Sequence, residues 1–547
     1  MEEKREFRIF GPPGTGKTSY LSRQIHEAVK RYGPENVLAA SFTRAAAAEL
    51  VRRQLPIPRE NIGTLHALCY RELGKPPIAE MFVADFNEKN PGLALSEDLK
   101  AGLDEGLVDT VTKSRGDELF LKYQILRHQM VPAERWPREV VHFFKAWERW
   151  KTENELVDFT DMISFALLGE AGCPGGQAVG FFDEVQDFTP LELALVRRWA
   201  TTMDRVLLAG DDDQCLYSFK GATPDAFLEP EVPPEHKRVL SQSWRVPRKV
   251  HAVAEKWIRR IEKREPKAYR PRDEDGELRE LDVNIKTGEK LLRDMERYLK
   301  AGKTVMVLAS CSYMLREILA RLREGFYPFH NPYRRSRGDW NPLASRKGAV
   351  TMRDRIAAFL RECEDIVDSD GTRLWTVEDL EKWTGILRSE GNLRKGAKAQ
   401  IADWADSVRP VLSQDIRAGT SMLFEDGAWP RAAARDLSWY GANIVGSKEK
   451  AAKYPIGIAA AHGIKALEEK PQIIIGTIHS VKGGEADVVY LFPDLSLAGA
   501  QEWARRGDGR DAIIRQFYVG MTRCRESLIV CKPATRTLYV PLTEVLR

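Results

Sequence analysis

The sequence predicts an α/β protein with two parallel-sheet cores, each carrying a mainly helical insertion. Three observations carry this. Short apolar runs end in polar residues: FRIF (7–10), NVLAASF (36–42), AVGFFDE (178–184) and RVLLAGD (205–211), then TVMVLAS (304–310), IIIGTIHS (473–480), DVVYLF (487–492) and SLIVC (527–531). Continuous runs of this length suit strands buried on both faces of a parallel sheet. Helical patterns lie between them, as from Lys17 to Arg31 with Gly33 as a stop. Finally, two long stretches break the alternation.

Taken in order, residues 1–78 and 155–235 make the first core, with 79–154 inserted in it. That insertion is rich in charge and tryptophan and reads as helix, for instance REVVHFFKAWERWKTENELV. Residues 236–325 and 446–547 make the second core, interrupted by 326–445. TVEDLEKWTGIL and KAQIADWADSV are helical there, and YRRSRGDWNPLASRKG (333–348) reads as a basic loop. Ligands of such sheets bind beyond the carboxyl ends of the strands, where the conspicuous motifs lie.

At 547 residues the chain exceeds what one hydrophobic core supports. Its 43% apolar and 30% charged residues are those of an ordinary globular protein, and the net charge of +4 permits a polyanionic partner without requiring one. Cysteines at 69, 173, 215, 311, 363, 524 and 531 form no CxxC pair, which argues against zinc ribbons and iron–sulfur clusters. Scattered thiols in odd number fit a reducing cytoplasm. No run of ~18 apolar residues occurs, so no membrane partner is expected.

The first motif is Gly11-Pro12-Pro13-Gly14-Thr15-Gly16-Lys17-Thr18, running on into Ser19. It follows a strand and opens a helix, the context that separates a P-loop from a chance glycine-rich turn. Its glycines let backbone N–H groups turn onto phosphate oxygens, with the helix N-terminus adding its positive end. Lys17 would reach the β- and γ-phosphates and the Thr18 hydroxyl would hold Mg²⁺. The second motif is FFDEVQD (181–187), in which Asp183 would order Mg²⁺ through water and Glu184 polarise the attacking water. An isolated Asp-Glu is usually a solvated strand end; paired with a P-loop it reads as the other half of an NTP-hydrolysing site.

DEVQD with LAGDDDQCLYSFKGA (208–222) resembles motifs II and III of the UvrD/Rep/PcrA family of superfamily 1 DNA helicases. AASFTRAAAAEL (39–50) resembles motif Ia, GTLHALCYREL (63–73) the motif after it, and VDFTDMI (157–163) the segment before motif II. LSQSWRVPRKV (240–250), IIIGTIHSVKGGEADVVYLF (473–492) and RQFYVGMTRCRESL (515–528) resemble motifs IV, V and VI, all in the family's order. The resemblance implies two RecA-like P-loop NTPase cores and an ATP-dependent helicase or translocase moving 3′ to 5′ on single-stranded DNA. ATP and Mg²⁺ are the implied cofactors, single-stranded DNA and its junctions with duplex the implied partners, and a monomer the implied state.

Carried over position by position, the resemblance makes Arg245 and Arg523 the cations that face the γ-phosphate. It makes Gln214 the residue that couples nucleotide to DNA, Trp244 a ring against adenine, and Glu485 the ribose ligand. With Lys17 and Glu184, Gln214, Arg245 and Arg523 form the implied catalytic set. Phe42 and Phe219 match aromatic positions that contact single-stranded DNA, the latter usually tryptophan in the family. Thr43, Thr64, His66, Lys220 and His479 are candidates for contacts with the DNA backbone. Ten residues precede Gly11, and the family's glutamine-containing adenine-reading segment has no counterpart in them, which leaves discrimination among nucleoside triphosphates open.

Three rival readings stand beside this one. A translocase that displaces proteins or remodels DNA without processive unwinding shares every motif. An AAA+-type ATPase acting on protein is favoured by the spelling GPPGTGKT, but predicts one core with arginine fingers supplied in trans. A second α/β core bearing Arg245 and Arg523 in the same chain speaks against it. A binding-only module is opposed by the intact Lys17, Asp183 and Glu184.

Overall fold

The structure, a computed structural model, describes residues 6–42, 47, 50–96, 114–169, 174–333, 340–344, 349–367, 371–406 and 419–546. It contains two six-stranded sheets. The first runs β3-β2-β4-β5-β1-β6, with β1 Glu6–Phe10, β2 Val37–Ser41, β3 Ile62–Gly63, β4 Val179–Asp183, β5 Arg205–Gly210 and β6 Lys237–Val239. All its neighbouring strands are parallel.

Side chains of successive residues go to opposite faces, and both faces are covered. Phe10, Phe182, Val206 and Leu208 pack in one apolar cluster, Ile9, Phe181, Leu207 and Ala209 in another. That explains why these strands read as unbroken apolar runs. Helix α1, Lys17–Tyr32, buries Leu21 and Ile25 and stops at Gly33, whose φ of 82° is left-handed.

Between β3 and β4, helices α2 (Leu65–Glu72), α3 (Arg115–His128), α4 (Arg138–Glu153) and α5 (Phe159–Leu168) follow one another. Phe86, Phe120, Phe143, Trp147 and Trp150 form an aromatic core there, with Phe86 edge-on to Trp147 at 4.9 Å. Asp158 and Asp161 build the capping box of α5. They also accept from Arg127 at 3.0 and 2.6 Å and pair with Lys151 at 2.9 and 2.5 Å. The ammonium of Lys151 thus fills the space between carboxylates that could otherwise resemble a metal cluster. Helix α6, Pro190–Ala200, also opens on a capping box, Thr189 with Glu192.

The second sheet runs β7-β12-β11-β8-β10-β9: β7 Glu277–Leu281, β8 Val305–Ala309, β9 Phe329–His330, β10 Ile473–Thr477, β11 Ala486–Leu491 and β12 Cys524–Cys531. The apolar run at 473–480 is strand only to Thr477, after which His479–Val481 forms a tight turn.

By contacts the chain divides into two compact units, one of Met1–Lys286, Val305–Leu315 and Gly476–Arg547, the other of Thr287–Thr304 and Arg316–Ile475. The second unit is largely helical and is built around Phe359, Trp375, Trp383, Phe424 and Tyr440, with Phe359 stacked on Tyr440 at 4.3 Å. Among the described residues, no helix is long and apolar enough to cross a membrane.

Candidate nucleotide and nucleic-acid site

All residues of this site belong to the first unit. Parallel register aligns the carboxyl ends of the strands: Phe10 lies beside Gly210, and Ser41 beside Asp183. The loops that leave this edge are the motif-bearing ones. Gly11 N–H donates to the Gly210 carbonyl at 2.9 Å, and Thr15 Oγ1 donates to the Pro12 carbonyl at 2.8 Å, closing the loop on itself. Gly14 and Gly16 take φ of 73° and 76°, a region that costs other residues strain. At Gly14 a Cβ would also lie 2.5 Å from Cβ of Arg245, whereas at Gly16 it would meet nothing within 4 Å.

Lys17 Nζ sits 2.7 Å from Glu184 Oε1 and 3.7 Å from Asp183 Oδ1. Burial alone would lower the Lys17 pKa, but the two carboxylates outweigh it and hold the ammonium above its ordinary value. Burial would likewise raise Glu184; Lys17 and then Lys482 overcome this and keep it well below the usual range. Burial and the neighbouring Glu184 charge leave Asp183 raised instead. Thr18 Oγ1 donates to Asp183 Oδ2 at 3.2 Å. Glu184 is itself left-handed, with φ 57°, and Gln186 Nε2 donates to its Oε2 at 2.6 Å. Ser19 Oγ accepts from Arg53 at 3.2 Å.

The segment 243–245 lies against the P-loop. Ser243 Oγ donates to the Pro13 carbonyl at 2.7 Å and Trp244 N–H to the Gly14 carbonyl at 2.9 Å, leaving the Trp244 ring 72% exposed. Arg245 donates from Nε to Glu485 Oε2 at 2.7 Å, and Arg525 pairs with the other oxygen of Glu485 at 3.0 Å. Arg523 is 2% exposed and donates from Nη2 to Gln214 Oε1 at 2.8 Å. Lys17, Asp183 and Glu184 therefore form one bonded group, Gln214 with Arg523 a second, and Arg245 with Glu485 a third.

Lys482 joins the first two of these, and sequence reasoning missed it although it lies inside the quoted motif V. Its Nζ pairs with Asp187 Oδ2, donates to the Gln214 carbonyl at 2.8 Å and lies 3.7 Å from Glu184 Oε2. Gln186 and Asp187 were missed too. Gln186 Oε1 accepts from the Asp211 N–H at 2.9 Å and Asp187 Oδ1 from the Leu216 N–H at 3.2 Å, so both tie motif II to motif III. Their signal was their place in DEVQD, two and three residues after Glu184.

Of the residues expected at nucleic acid, four line up through Tyr217, another that sequence reasoning passed over. Phe42 lies 4.9 Å from Tyr217, Tyr217 is 5.7 Å from Phe219, and Phe219 is 5.7 Å from the His479 ring. Lys220 Nζ lies 5.4 Å from the centre of the Tyr217 ring. Thr64 and His66 lie at the start of α2: Thr64 caps the helix by accepting from Ala67 N–H at 3.2 Å, and His66 Nδ1 is 3.7 Å from Glu192 Oε1. Thr43 lies outside the described residues.

Comparison with known proteins finds similarity to DNA helicases. Residues 2–233 match the UvrD/REP helicase N-terminal domain family. The "Probable DNA helicase II homolog" of Mycoplasma pneumoniae is 26% identical over 281 residues, 45% of this chain and 39% of that protein. The Bacillus subtilis protein YjcD is 28% identical over 247 residues, 40% of this chain and 32% of that protein. ATP-dependent DNA helicase PcrA of Staphylococcus epidermidis is 24% identical over 612 aligned residues, 97% of this chain and 82% of that protein. The chain thus spans 39% and 32% of the length of the first two relatives. The chain matches the UvrD/REP helicase N-terminal domain over residues 2–233, adds a second parallel-sheet core, and is similar to PcrA through nearly all of its length.

Proposed function

We propose that the chain is an ATP-dependent DNA helicase or translocase that moves 3′ to 5′ on single-stranded DNA, works at junctions with duplex as a monomer, and resides in the cytoplasm. The observation that carries the reading is the bonded path from Lys17 through Glu184 and Lys482 to Gln214 and Arg523, which runs beside the aromatic row Phe42–Tyr217–Phe219. Such a path links a phosphate cradle to a surface on which bases can stack.

The donor set fits the nucleotide and its metal. Thr18 Oγ1 and Asp183 Oδ2, already hydrogen-bonded to each other, are the hydroxyl and carboxylate that would hold Mg²⁺. Mg²⁺, when bound, neutralises charge on the phosphate oxygens. Lys17 adds a cation on the phosphates and Trp244, exposed at the loop's edge, a ring for the base. Glu184 is kept ionised by Lys17, so it accepts a hydrogen bond from the attacking water and orients it. Arg523 stabilises negative charge on the transferred phosphoryl group, as arginine fingers do, and Gln214, bonded to Arg523, reports that charge to motif III. Arg245, whose Cβ lies beside Gly14, is the second such cation.

Unwinding of tailed duplexes tests the reading, with 3′ or 5′ overhangs and with ATP, GTP or no nucleotide, alongside ATP hydrolysis with and without single-stranded DNA. Hydrolysis is expected to rise at least about tenfold with DNA, with unwinding only from 3′ tails. No stimulation by DNA or RNA would overturn the motor assignment. An intact duplex accompanied by displacement of streptavidin from a biotinylated strand would favour translocation without unwinding. Glu184→Gln serves as the control: turnover lost, binding of nucleotide and DNA kept.

A further inference from the structure

Motif III begins with three consecutive aspartates, Asp211, Asp212 and Asp213, each with no exposed surface. Buried carboxylates persist where cations and hydrogen bonds compensate them. One ammonium does most of this. Lys267 Nζ, itself buried, lies 3.1 Å from Asp211 Oδ1, 2.5 Å from Asp212 Oδ1 and 2.9 Å from Asp213 Oδ2. Arg264 adds a two-point contact to Asp213 at 2.8 and 2.5 Å, and the Glu265 N–H donates to Asp212 Oδ2 at 3.0 Å. Arg515 donates to the Asp212 carbonyl at 3.0 Å.

The far side of this cluster leads to Gln214. Asp211 uses Oδ1 for Lys267 and Oδ2 to accept from Gln214 Nε2 at 2.7 Å. That bond takes up the amide nitrogen, so the amide oxygen faces Arg523 and accepts from Nη2 at 2.8 Å. A carboxylate oxygen cannot donate and a guanidinium cannot accept, so this is the one amide orientation that satisfies both neighbours. Four side chains therefore stand in series: Lys267, Asp211, Gln214, Arg523.

We propose that Lys267 is a positioning residue for ATP hydrolysis, holding Asp211 so that Gln214 presents its oxygen to Arg523. The proposal deepens the reading given above and rests on it for the role of Arg523. Without the ammonium, three carboxylates share one buried space in which, among the described residues, Arg264 is the cation paired to a carboxylate and Arg515 reaches the Asp212 carbonyl. Asp212, which burial already pushes up to about 6 despite Lys267, would take up a proton. Asp211 would turn toward whatever donor remained, and Gln214 with it. Among the described residues neither Lys267 nor Asp211 hydrogen-bonds to the P-loop or the aromatic row, and the Asp211 charge reaches Lys17 only behind the nearer Glu184 and Asp183, so the effect is expected in the chemical step.

The test compares the full chain with Lys267→Met, Lys267→Arg, Asp211→Asn and the Lys267→Met/Asp211→Asn double variant. Hydrolysis is measured with and without single-stranded DNA, together with melting temperature and DNA affinity. The expected result is a fall in kcat of at least about tenfold in Lys267→Met and in Asp211→Asn, with KM for ATP and Kd for DNA within about threefold of the unchanged chain. The double variant should lose no more than the worse single one, since residues in series are not additive. Lys267→Arg should recover part of kcat. A Lys267→Met chain that melts early and loses DNA binding in proportion to kcat, or additive losses in the double variant, would overturn the proposal. Asp211→Asn, which keeps the size of the side chain but can accept on one side only, guards against a Lys267→Met chain that fails to fold. If the unchanged chain hydrolyses ATP without responding to DNA, the motor reading falls while the kcat comparison still decides the role of Lys267. An unchanged chain without hydrolysis would overturn both.

Discussion

Arg523 and Gln214 stand far apart in the sequence, yet Nη2 of the first donates to Oε1 of the second at 2.8 Å, both side chains being buried. A residue of the second sheet's last strand-turn thereby touches motif III of the first. Arg523 is further held by its Nε donating to the Val519 carbonyl at 3.0 Å and Nη1 to the Gly484 carbonyl at 3.3 Å. A guanidinium fixed at three points is a pre-organised charge, and pre-organisation is what makes such a group effective on a transition state.

Arg523→Ala is therefore expected to lower kcat for DNA-stimulated ATP hydrolysis by about three orders of magnitude, with a much smaller change in KM. Arg523→Lys should recover little, because one ammonium cannot reach the Val519 and Gly484 carbonyls and Gln214 together. Steady-state hydrolysis with saturating single-stranded DNA checks this, and near-normal turnover in Arg523→Ala would remove the residue from the site.

Phe219 is half-buried between Tyr217 and the His479 ring, at the exposed end of the aromatic row. Phe219→Ala should weaken binding of single-stranded DNA by about 1–3 kcal/mol, roughly 5- to 150-fold, without altering the slope of affinity against salt. Phe219→Trp should strengthen it, since a larger ring stacks more surface. Fluorescence anisotropy on a labelled oligonucleotide across a salt series measures both quantities. A changed salt slope in Phe219→Ala would mean that backbone contacts, not stacking, had been lost.

Glu192 offers a dependence on pH. Burial pushes its carboxyl up to about 7, although the Thr189 N–H and hydroxyl donate to Oε2 at 2.8 and 3.0 Å and Lys220 is near. The group is an acid whose pKa is higher folded than unfolded, so folding favours the protonated form. Its stabilising contribution is complete below the unfolded value near 4.5 and declines as pH rises toward 7. Glu192→Gln, which retains an oxygen for Thr189, should melt at the same temperature as the unchanged chain at pH 5 and higher than it at pH 8. Equal melting temperatures at both pH values would show that Glu192 is not titrating in this range.

Much of the fold was legible because burial leaves a mark on composition. Strands β2, β4, β5, β8 and β10 lie within the predicted apolar runs, and β1, β11 and β12 begin one to three residues before theirs, since a strand covered on both faces tolerates few polar residues. The short strands were not legible. β7 reads ELREL, three charged residues in five as suits an edge strand, and β3, β6 and β9 are two or three residues long.

What the sequence determined by itself was chemistry confined to short spans. Gly14, Gly16, Lys17 and Thr18 lie within one turn of backbone, and Asp183 with Glu184 at one strand end, so local spacing alone specifies a phosphate cradle and its acid partners. Tertiary structure alone decided which distant cations complete them. Three aspartates in a row announce that buried charge must be compensated, but not that Lys267, 55 residues beyond Asp212, would do it. Nor does the sequence say that Lys482 would bridge Asp187 to Gln214, 268 residues before it. The physical reason is range: backbone conformation follows from neighbours in the chain, whereas ion pairing depends on which side chains the sheets bring within about 4 Å of each other in a water-poor interior.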